Sequence, residues 1–367
     1  MKNIVLLGAG HANLEIIKHL SLASRDKCEV TLISESRTTY YSGLLPRLVL
    51  GEIQESELTI DLEKFCKIKN VRLICDSAEL IEPNLNRVQL RDGTPIEYDY
   101  LVINTGGVTK HIETENPYRT VFIKPLNVFI EKWREIQRIC SACQKLNFVV
   151  IGGGAASVEL AVALKLRLMS NQSAHSQVTI VTNGNRVCEN YAPQISNQLE
   201  KSLTSLGIDL HFSELVSKIP KNELLLGSGL RLPFDYLFAS LPVTPPKWNF
   251  NQSLEVDHHG YFNVDDYLRC KPNIYAAGDC AKLNFYPDLA RSGVNAVRQG
   301  QYLAEILSSV LCGKEMFPFR PSKRQLNILV SGRSKATLIY GSTCLESSFS
   351  LKTKNWIDEK YMRSFRI

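Results

Sequence analysis

Two short glycine-rich runs are the parts of this chain best suited to chemistry. The first, Gly8-Ala9-Gly10-His11-Ala12-Asn13, directly follows an aliphatic run that is typical of a buried strand. The second, Gly152-Gly153-Gly154-Ala155-Ala156-Ser157, follows residues 148–151 in the same way. Glycine at the first and third residues of each run permits a tight turn and lets backbone N–H groups approach a phosphate. The helix that follows points its positive end at the anion. Each loop therefore predicts a pyrophosphate-binding site.

The first loop lies in a predicted strand–helix–strand unit. Residues 2–7 read as a strand, the apolar spacing over residues 13–22 favours a helix, and residues 30–34 read as the next strand. Glu35 ends that strand, where a carboxylate can accept hydrogen bonds from the adenosine ribose of a dinucleotide. Asn13 stands in place of the third glycine, which predicts looser packing of the helix against the strand.

The second loop repeats this pattern, with a helix predicted over residues 158–168 and a strand over residues 178–181. Ser157 is small, so close packing is preserved. The following strand ends without a carboxylate and continues into Thr182-Asn183-Gly184-Asn185-Arg186. An acidic residue there would favour NAD, whereas an arginine can receive the 2′-phosphate of NADP, so Arg186 favours NADPH or no discrimination between the two nucleotides. A solvated loop arginine is the alternative interpretation.

A third motif lies further along the chain. The buried-strand pattern of residues 273–277 delivers Asp279 just past Gly278, where a carboxylate can accept hydrogen bonds from a polyol chain. A solvated Gly-Asp turn is the ordinary alternative. A long apolar-faced helix is predicted over residues 293–311, and its N-terminus carries partial positive charge.

The remaining elements complete an α/β prediction with two Rossmann-like units and a small C-terminal cap. Strands are predicted at residues 71–81, 87–90 and 100–104, helices at 126–139 and 195–206, and a strand-rich cap from residue 318 onward. The first unit is discontinuous and the second is inserted into it. The predicted boundaries are 1–109 and 251–317 for the first unit, 110–250 for the second, and 318–367 for the cap.

Composition narrows the functional classes. The 367 residues carry a net charge of +6 without a long basic run, which argues against nucleic acid as a partner. The ten cysteines are scattered, so we expect reduced thiols and no metal site. The first strand begins almost at once and no 18-residue apolar stretch exists. We therefore expect a cytoplasmic protein.

These motifs, in this order, resemble the flavoproteins with two dinucleotide-binding domains, the pyridine nucleotide-disulfide oxidoreductase superfamily. Within it the chain is similar to type II NADH dehydrogenases, and more so to the oxidoreductases related to the module fused to some selenide, water dikinases. The residues that carry the likeness, besides the glycine loops, are Tyr40 to Pro46, Ile60-Asp61-Leu62, Lys124-Pro125, Ala276 to Asp279, Gly293 to Gly300, Trp356-Ile357-Asp358 and Tyr361-Met362. The likeness implies FAD in the first unit and NADH or NADPH in the second. It also implies hydride transfer from nicotinamide C4 to flavin N5, and then electron transfer to a quinone-type acceptor.

The likeness also implies roles for single residues. Asp279 would bind the ribityl chain of FAD, the helix that begins near Gly293 would face the flavin, Glu159 would lie near the nicotinamide, and Lys124 would approach the flavin. Glu159 and Lys124 are therefore the predicted catalytic residues. The residues expected at the two cofactors are Gly8, Ala9, Gly10, His11, Ala12, Glu35, Pro46, Ala78, Thr105, Gly106, Gly152, Gly153, Gly154, Ala155, Ala156, Glu159, Thr182, Arg186, Gly278, Asp279 and Val294.

One departure concerns the electron acceptor. Type II NADH dehydrogenases carry an Ala-Gln…Gln-Gln pattern on the helix beside the flavin. The corresponding residues here are Gly293, Val294, Arg298 and Gln299. This departure argues against a quinone acceptor.

Three alternatives stay open from the sequence. Cys140-Ser141-Ala142-Cys143 is a CxxC run, as in thioredoxin-reductase-like disulfide reductases. A nucleotide-sensing flavoprotein that signals to a partner is the second alternative. The third concerns residues 356–366, whose aromatic and basic side chains fit an amphipathic helix lying on the inner face of the cell membrane. Docking on the FAD domain, or a homodimer interface, is the competing interpretation of that segment.

Overall fold

The computed structural model describes the backbone of residues 1–142, 145–170, 176–247, 249–250, 254–322 and 324–366. Side chains are described for the same residues except 141–142 and 249–250.

The N-terminal segment alternates strands with short helices. Its strands are β1 (Lys2–Leu7), β2 (Cys28–Ser34), β3 (Thr38–Tyr40), β4 (Thr59–Asp61), β5 (Arg72–Cys75), β6 (Ala78–Glu82), β7 (Arg87–Leu90), β8 (Pro95–Glu97) and β9 (Tyr100–Ile103). Its helices are α1 (His11–His19), α2 (Leu22–Arg25), α3 (Leu45–Leu50), α4 (Glu55–Leu58) and α5 (Leu62–Ile68).

The middle segment carries the second glycine loop. Its strands are β10 (Val108–Thr109), β11 (Thr120–Phe122), β12 (Asn147–Ile151), β13 (Gln177–Val181), β14 (Ile208–His211), β15 (Val216–Lys218), β16 (Glu223–Leu226), β17 (Arg231–Pro233), β18 (Tyr236–Ala239), β19 (Val243–Thr244) and β20 (Asn249–Phe250). Its helices are α6 (Leu126–Ala142), α7 (Ala155–Ser170) and α8 (Pro193–Ser205).

The last segment returns to the first unit and then forms the cap. Its strands are β21 (Phe262–Val264), β22 (Arg269–Lys271), β23 (Ile274–Ala276), β24 (Ala281–Leu283), β25 (Leu326–Gly332), β26 (Lys335–Tyr340) and β27 (Thr343–Ser347). Its helices are α9 (Gly293–Cys312) and α10 (Ser348–Arg363).

Two sheets organise the molecule, and their strands are parallel except for the edge strand β22. The first has the strand order β22-β23-β9-β1-β2-β5, and the second has the order β11-β18-β12-β13-β14. The pairs of β1 with β2 and β9, and of β12 with β13 and β18, are parallel. Strands β1 and β12 are therefore central, and each ends in a glycine loop at the carboxyl edge of its sheet, where open α/β sheets bind ligands. Both predicted strand–helix–strand units are confirmed.

The first sheet is built from two separate stretches of chain. Strands β22 and β23 come after the whole second sheet, yet β23 pairs in parallel with β9. The predicted α/β class, with one unit inserted into the other, is thus confirmed. The boundaries of the units stay predictions.

The strand predicted over residues 71–81 is wrong. The chain breaks at Asp76, whose carboxylate accepts a hydrogen bond from the Ser77 N–H at 2.7 Å. Strand β5 before the break extends the first parallel sheet, whereas β6 after it joins the separate sheet β20-β6-β7-β8. The apolar residues on both sides of the break therefore concealed a change of sheet. Helices α1 and α7 also begin earlier than predicted, at His11 and Ala155, because each glycine loop leads directly into its helix.

The cap packs on the first unit. Strands β25, β26 and β27 form an antiparallel sheet that leads into α10. Tyr361 of α10 stacks on Tyr41 with ring centroids 4.5 Å apart, and Phe365 lies 5.1 Å from Phe65. The predicted docking of this segment on the first unit is thus observed for one side of α10.

Candidate active site between the two glycine loops

Loop 1, residues 8–13, is held by a single amide side chain. Asn104 follows β9, and its Oδ1 accepts hydrogen bonds from the backbone N–H groups of Ala12 at 2.9 Å and Asn13 at 3.3 Å. Its Nδ2 donates to the carbonyl of Ala277 at 2.7 Å. Gly8 has φ +90°, and a Cβ there would lie 2.5 Å from the Asn104 carbonyl oxygen. Asn104 therefore requires glycine in the loop and ties it to the strand that leads to Asp279; the sequence analysis missed this role.

Asn13 tightens the unit instead of loosening it, so that expectation was wrong. Its side chain is fully buried, and Nδ2 donates to the carbonyls of Gly8 at 2.8 Å and Leu7 at 3.1 Å. The amide fastens α1 to the end of β1, because it donates to the Gly8 carbonyl of the turn and gives the Leu7 carbonyl a second donor besides the Asn104 N–H.

Loop 2, residues 152–157, makes the same backbone hydrogen bonds as loop 1, but a different residue lies beside it. The Gly152 N–H donates to Val181 at 2.8 Å, as the Gly8 N–H donates to Ile33 at 2.9 Å in loop 1. Ser240 follows β18 and donates its N–H to Ile151 at 2.9 Å, which makes it the counterpart of Asn104. A Cβ on Gly154 would meet no atom within 4 Å. The phosphate-facing side of loop 2 is therefore open.

One cleft of about 2030 Å³ is lined by both loops. Most of the residues predicted for the cofactors line it, namely Gly8, Ala9, Gly10, His11, Glu35, Pro46, Ala78, Thr105, Gly106, Lys124, Gly152, Gly153, Gly154, Ala155, Ala156, Glu159, Thr182, Arg186, Asp279 and Val294. Two predicted residues lie behind its wall. The Ala12 N–H donates to Asn104 at 2.9 Å, and the Gly278 N–H donates to the Gln299 side chain at 2.7 Å.

Lys124 and Asp279 meet in the middle of this cleft. Their side chains form a hydrogen-bonded ion pair across two segments far apart in sequence. Asp279 is held by the turn after β23, and Lys124 lies between β11 and α6. The structure thus brings together the residue predicted for the ribityl chain and the residue predicted to approach the flavin.

Glu159 belongs to a buried ionic cluster with the cap. Its Oε1 accepts a hydrogen bond from the Val330 N–H at 2.9 Å and lies 3.7 Å from Nζ of Lys354. Lys354 also lies 3.3 Å from Asp358. Burial raises the pKa of Glu159 and of Asp358, with the Lys354 cation opposing it. Burial works against the charge on Lys354, but the two carboxylates outweigh it and raise its pKa.

Aromatic side chains connect this cluster with loop 1. The Tyr41 hydroxyl donates to Asp358 at 2.8 Å, and the Tyr41 ring lies 5.6 Å from that of His11. His11 Nε2 is buried without a hydrogen-bond partner in the described part of the chain. Burial, with a further contribution from Lys124, lowers the pKa of His11 to about 4. The imidazole is therefore neutral at pH 7 and can accept or donate one hydrogen bond toward a bound group.

A carboxylate does reach the end of β13, although none stands there in sequence. Glu189 lines the cleft, and its Oε1 accepts a hydrogen bond from the Asn185 N–H at 2.8 Å. A Cβ on Gly184 would lie 2.8 Å from the same carboxylate. Arg186 lines the cleft too, and its Nε donates to Asn185 at 3.1 Å. The end of β13 therefore holds an acidic and a basic group together.

Helix α9 begins beside loop 1. Ser292 caps it by accepting a hydrogen bond from the Asn295 N–H at 3.3 Å. A Cβ on Gly293 would lie 4.0 Å from both His11 Nε2 and Ser42 Oγ. The positive end of α9 thus faces the cleft, as the sequence indicated.

The cysteines fit a disulfide mechanism poorly. Cys140 is buried near the end of α6, more than three helical turns from the cleft residue Leu126, and Cys143 lies outside the described residues. Among the described residues, Cys188 is the one cysteine that lines the cleft. Burial raises the pKa of its thiol to about 12, so no reactive thiolate forms there at pH 7.

The residues present fit two dinucleotides. Each loop presents a turn, a helix N-terminus and glycines at the carboxyl edge of a parallel sheet. One cleft joins both loops past Asp279, and the unpartnered His11 Nε2 faces into it. The fold and the site are those of a protein with two dinucleotide-binding units, which fit FAD and NAD(P)H.

The chain belongs to the pyridine nucleotide-disulphide oxidoreductase family, whose family model matches residues 2–300. It is 24% identical over 328 residues to the mitochondrial external alternative NAD(P)H-ubiquinone oxidoreductase B3 of Arabidopsis thaliana. That match covers 77% of this chain and 55% of the relative, so the chain spans just over half of that protein.

Solved structures of low sequence identity share the fold. The sulfide:quinone oxidoreductase of Aquifex aeolicus has a TM-score of 0.85 at 16% identity and covers 100% of this chain and 92% of its own. NDH2 from Plasmodium falciparum in complex with NADH has a TM-score of 0.83 at 16% identity, over 99% and 97% of the two chains. The likeness therefore includes the cap as well as the two nucleotide-binding units.

Proposed function

We propose that this protein oxidises NAD(P)H and passes the electrons through FAD to a quinone-type acceptor. The observation that carries the proposal is the single cleft shared by the two loops, with the Lys124–Asp279 ion pair between them. FAD, when bound, supplies the chemistry by accepting hydride and releasing electrons. The protein supplies binding and orientation, which are large contributions when two reacting rings must meet.

The loops and the ion pair have distinct parts in this scheme. Loop 1 and Glu35 would bind the adenosine and pyrophosphate of FAD, and Asp279 its ribityl hydroxyls. Lys124 holds the Asp279 carboxylate in place and adds positive charge to the cleft. The N-terminus of α9 adds further positive potential, which favours a group that becomes negatively charged on reduction. Loop 2 would bind NAD(P)H, with Glu159 near the nicotinamide.

One part of the cleft, between α9 and α10, supports a separate acceptor. We call it the α9–α10 groove; its residues all line the cleft and comprise Val294, Val297, Arg298 and Gln301 on α9 with Ile357, Asp358 and Tyr361 on α10. Helix α1 forms its floor, because the His11 ring lies 6.0 Å from that of Tyr361 and Glu15 binds the Gln301 side chain at 3.0 Å. The Arabidopsis relative is named a ubiquinone oxidoreductase, and the Aquifex structure is that of a quinone oxidoreductase. These names support a quinone at this groove.

Reduction of a quinone to a hydroquinone consumes two protons. Glu159 and Asp358 line the cleft, and burial raises the pKa of each carboxyl group. Each can therefore hold a proton nearer to neutral pH than an exposed carboxyl can.

Anaerobic titration of the purified yellow protein tests the proposal. We expect either NADH or NADPH to bleach the flavin absorbance, and a soluble quinone to restore it through many turnovers. Bleaching without quinone turnover would favour the nucleotide-sensing alternative. Turnover of a disulfide that Cys140→Ser abolishes would favour the disulfide reductase.

We also propose that the cap binds a membrane surface peripherally. No helix in the described ranges is long and apolar enough to cross a bilayer. Phe349 and Trp356 are 69% and 61% exposed and lie two helical turns apart on the side of α10 that faces away from the first unit. Lys360 lies 5.0 Å from the centre of the Trp356 ring, and Arg363 follows. Aromatic and basic groups on one helix face fit an anionic lipid interface, here the inner face of the cell membrane.

Vesicle sedimentation tests this cap surface. We expect the intact chain to bind vesicles that contain anionic lipid, and the double variant Phe349→Ser, Trp356→Ser to lose binding. Phe285→Ser is the matched control, because Phe285 is 66% exposed elsewhere. If the double variant instead converts a dimer to a monomer, and no chain binds vesicles, the face is a homodimer interface.

A further inference from the structure

Arg298 stands out in the α9–α10 groove because its charge has no counterpart. Its Nη1 is buried without a hydrogen-bond partner among the described residues. No described carboxylate lies within 4.0 Å of its guanidinium, since it takes part in no ion pair that the structure shows. A buried N–H of a charged group without an acceptor is costly, so the guanidinium gains an interaction when a bound molecule supplies an acceptor.

Arg298 belongs to a continuous stripe along α9. Gly293, Val294, Val297, Arg298 and Gln301 all line the cleft, and they recur at the spacing of one helix face. The stripe runs about 12 Å from the helix N-terminus. Val294, one helical turn before Arg298, and Val297, directly before it, offer apolar surface to a bound molecule. A ring would thus pack on the valines while a substituent reaches the guanidinium.

The mouth of the groove is positively charged. Arg291 and Arg324 line the same cleft, and neither forms an ion pair with a described residue. Their guanidinium groups lie over the rings of Tyr261 at 3.8 Å and Tyr340 at 6.0 Å, respectively. The exposed carboxylate of Asp288 also lines the mouth, so the charge there is mixed but predominantly basic.

The lysines near the groove already have carboxylate partners. Lys124 is paired with Asp279, and Lys354 lies between Glu159 and Asp358. Within the α9–α10 groove, Arg298 is therefore the cation without a carboxylate partner among the described residues. Guanidinium groups bind carboxylates through two parallel hydrogen bonds, which gives direction as well as charge.

We propose that the electron acceptor carries an acidic group, a carboxylate or an ionised hydroxyl, and that Arg298 binds it in the α9–α10 groove. This inference rests on the proposed function, because it names the class of acceptor for the same site. Arg298 is then the residue that selects the acceptor, and the apolar stripe of α9 binds the ring.

A matched pair of acceptors tests the inference on the FAD-loaded enzyme. The two probes are a naphthoquinone with a propionic acid side chain and the methyl ester of the same compound, which differ in charge while the ring is the same. We expect the wild type to prefer the acid in kcat/KM. Arg298→Gln should lower kcat/KM for the acid about 10- to 100-fold, while the value for the ester changes less than about threefold. Arg298→Lys should retain part of the preference.

Three controls separate this inference from other roles of the arginine. Arg333→Gln removes one exposed positive charge outside the cleft and should leave the preference intact. Flavin content and the rate of flavin bleaching by NAD(P)H should not change in Arg298→Gln. If that variant loses flavin or raises the KM for NAD(P)H, the arginine serves a cofactor phosphate and the inference is wrong. An equal loss for acid and ester would also overturn it.

Binding without turnover keeps the inference apart from the proposed function. The acid probe should perturb the absorbance of the oxidised flavin, with a dissociation constant about tenfold or more weaker in Arg298→Gln. If the wild type binds the acid in this way but never turns over a quinone, the proposed function fails and the anion site stands. If acid and ester bind the wild type equally, the anion site fails whatever the turnover.

Discussion

The two glycine loops have the same frame, and they differ in the residue beside them. Asn104 follows the strand next to loop 1, and Ser240 follows the strand next to loop 2. The Asn104 amide reaches the first N–H groups of α1 and the Ala277 carbonyl. No described side chain donates to or accepts from the equivalent start of α7, and Gly154 faces open space.

This difference matches the two cofactors that the loops are proposed to hold. A resident flavin benefits from a rigid loop that is fixed to both segments of its domain. A nucleotide that must enter and leave in every turnover benefits from a loop whose N–H groups are not already engaged. We therefore expect changes at loop 1 to affect folding and flavin content together, and changes at loop 2 to affect NAD(P)H alone.

The largest effect should come from Asn104→Ala. It leaves two buried N–H groups without partners, at about 1–3 kcal/mol each, and leaves the Ala277 carbonyl with only the weak donor of the Cys280 thiol. We expect a loss of about 4 kcal/mol in the free energy of unfolding, measured with urea, and loss of most bound flavin. Ser240→Ala is the matched variant at loop 2 and should keep its flavin. Full flavin content in Asn104→Ala would remove the distinction between the loops.

Lys354→Met tests how firmly the unit of loop 2 is tied to the cap. It leaves Glu159 and Asp358 buried without their cation, which should cost about 3 kcal/mol in the free energy of unfolding. The pKa of Glu159 is raised in the folded protein, so the fold holds a proton that the unfolded chain releases above its ordinary value of 4.5. The contribution of Glu159 to the free energy of unfolding is therefore fully present at low pH, and it is lost as the pH rises through the folded-state pKa.

Removal of the Lys354 cation should raise the pKa values of Glu159 and Asp358 further, and it should therefore enlarge the loss of stability at higher pH. Urea unfolding at about pH 5 and about pH 8 should show a larger deficit for Lys354→Met at the higher pH. Lys352→Met, which changes an exposed lysine of the same helix, is the control. A deficit independent of pH would mean that only packing was lost.

Ser240→Asn would convert the neighbour of loop 2 into the kind of residue that holds loop 1. The new amide should occupy N–H groups at the start of α7 that a pyrophosphate needs. We expect the KM for NAD(P)H to rise about tenfold, with flavin content unchanged, because one or two hydrogen bonds to the phosphates are lost. Unchanged KM would show that loop 2 does not bind the nucleotide through these groups.

The smallest effect should come from Glu189→Gln. Its carboxylate lies beside the Asn185 N–H at the end of β13, where it repels a 2′-phosphate. We expect the ratio of kcat/KM for NADPH to that for NADH to rise about threefold to tenfold. Arg186→Gln should move the same ratio in the opposite direction. A ratio that neither variant changes would place the adenosine ribose elsewhere.

Local pattern was enough to predict much of this molecule. Strands β1 and β12, their glycine loops and helices α1 and α7 follow from apolar spacing and glycine position. Pattern failed at residues 71–81, because the hydrogen-bond partners of a strand, and not its own composition, decide its sheet. It also misjudged Asn13, because a side chain that replaces glycine can find carbonyls to bind.

The sequence by itself determined the fold class, the two glycine loops and the residues that follow them, because each depends on neighbours a few positions away. Tertiary structure decided the rest of the site. It placed Asn104 on loop 1, returned Glu189 to the end of β13, and joined Glu159 to Lys354 of the cap. These partners are distant in the chain or set by a loop path, so no local spacing encodes them. The unpartnered charge of Arg298 belongs with them, since only the packing of three helices shows that no described carboxylate lies within ion-pairing distance of it.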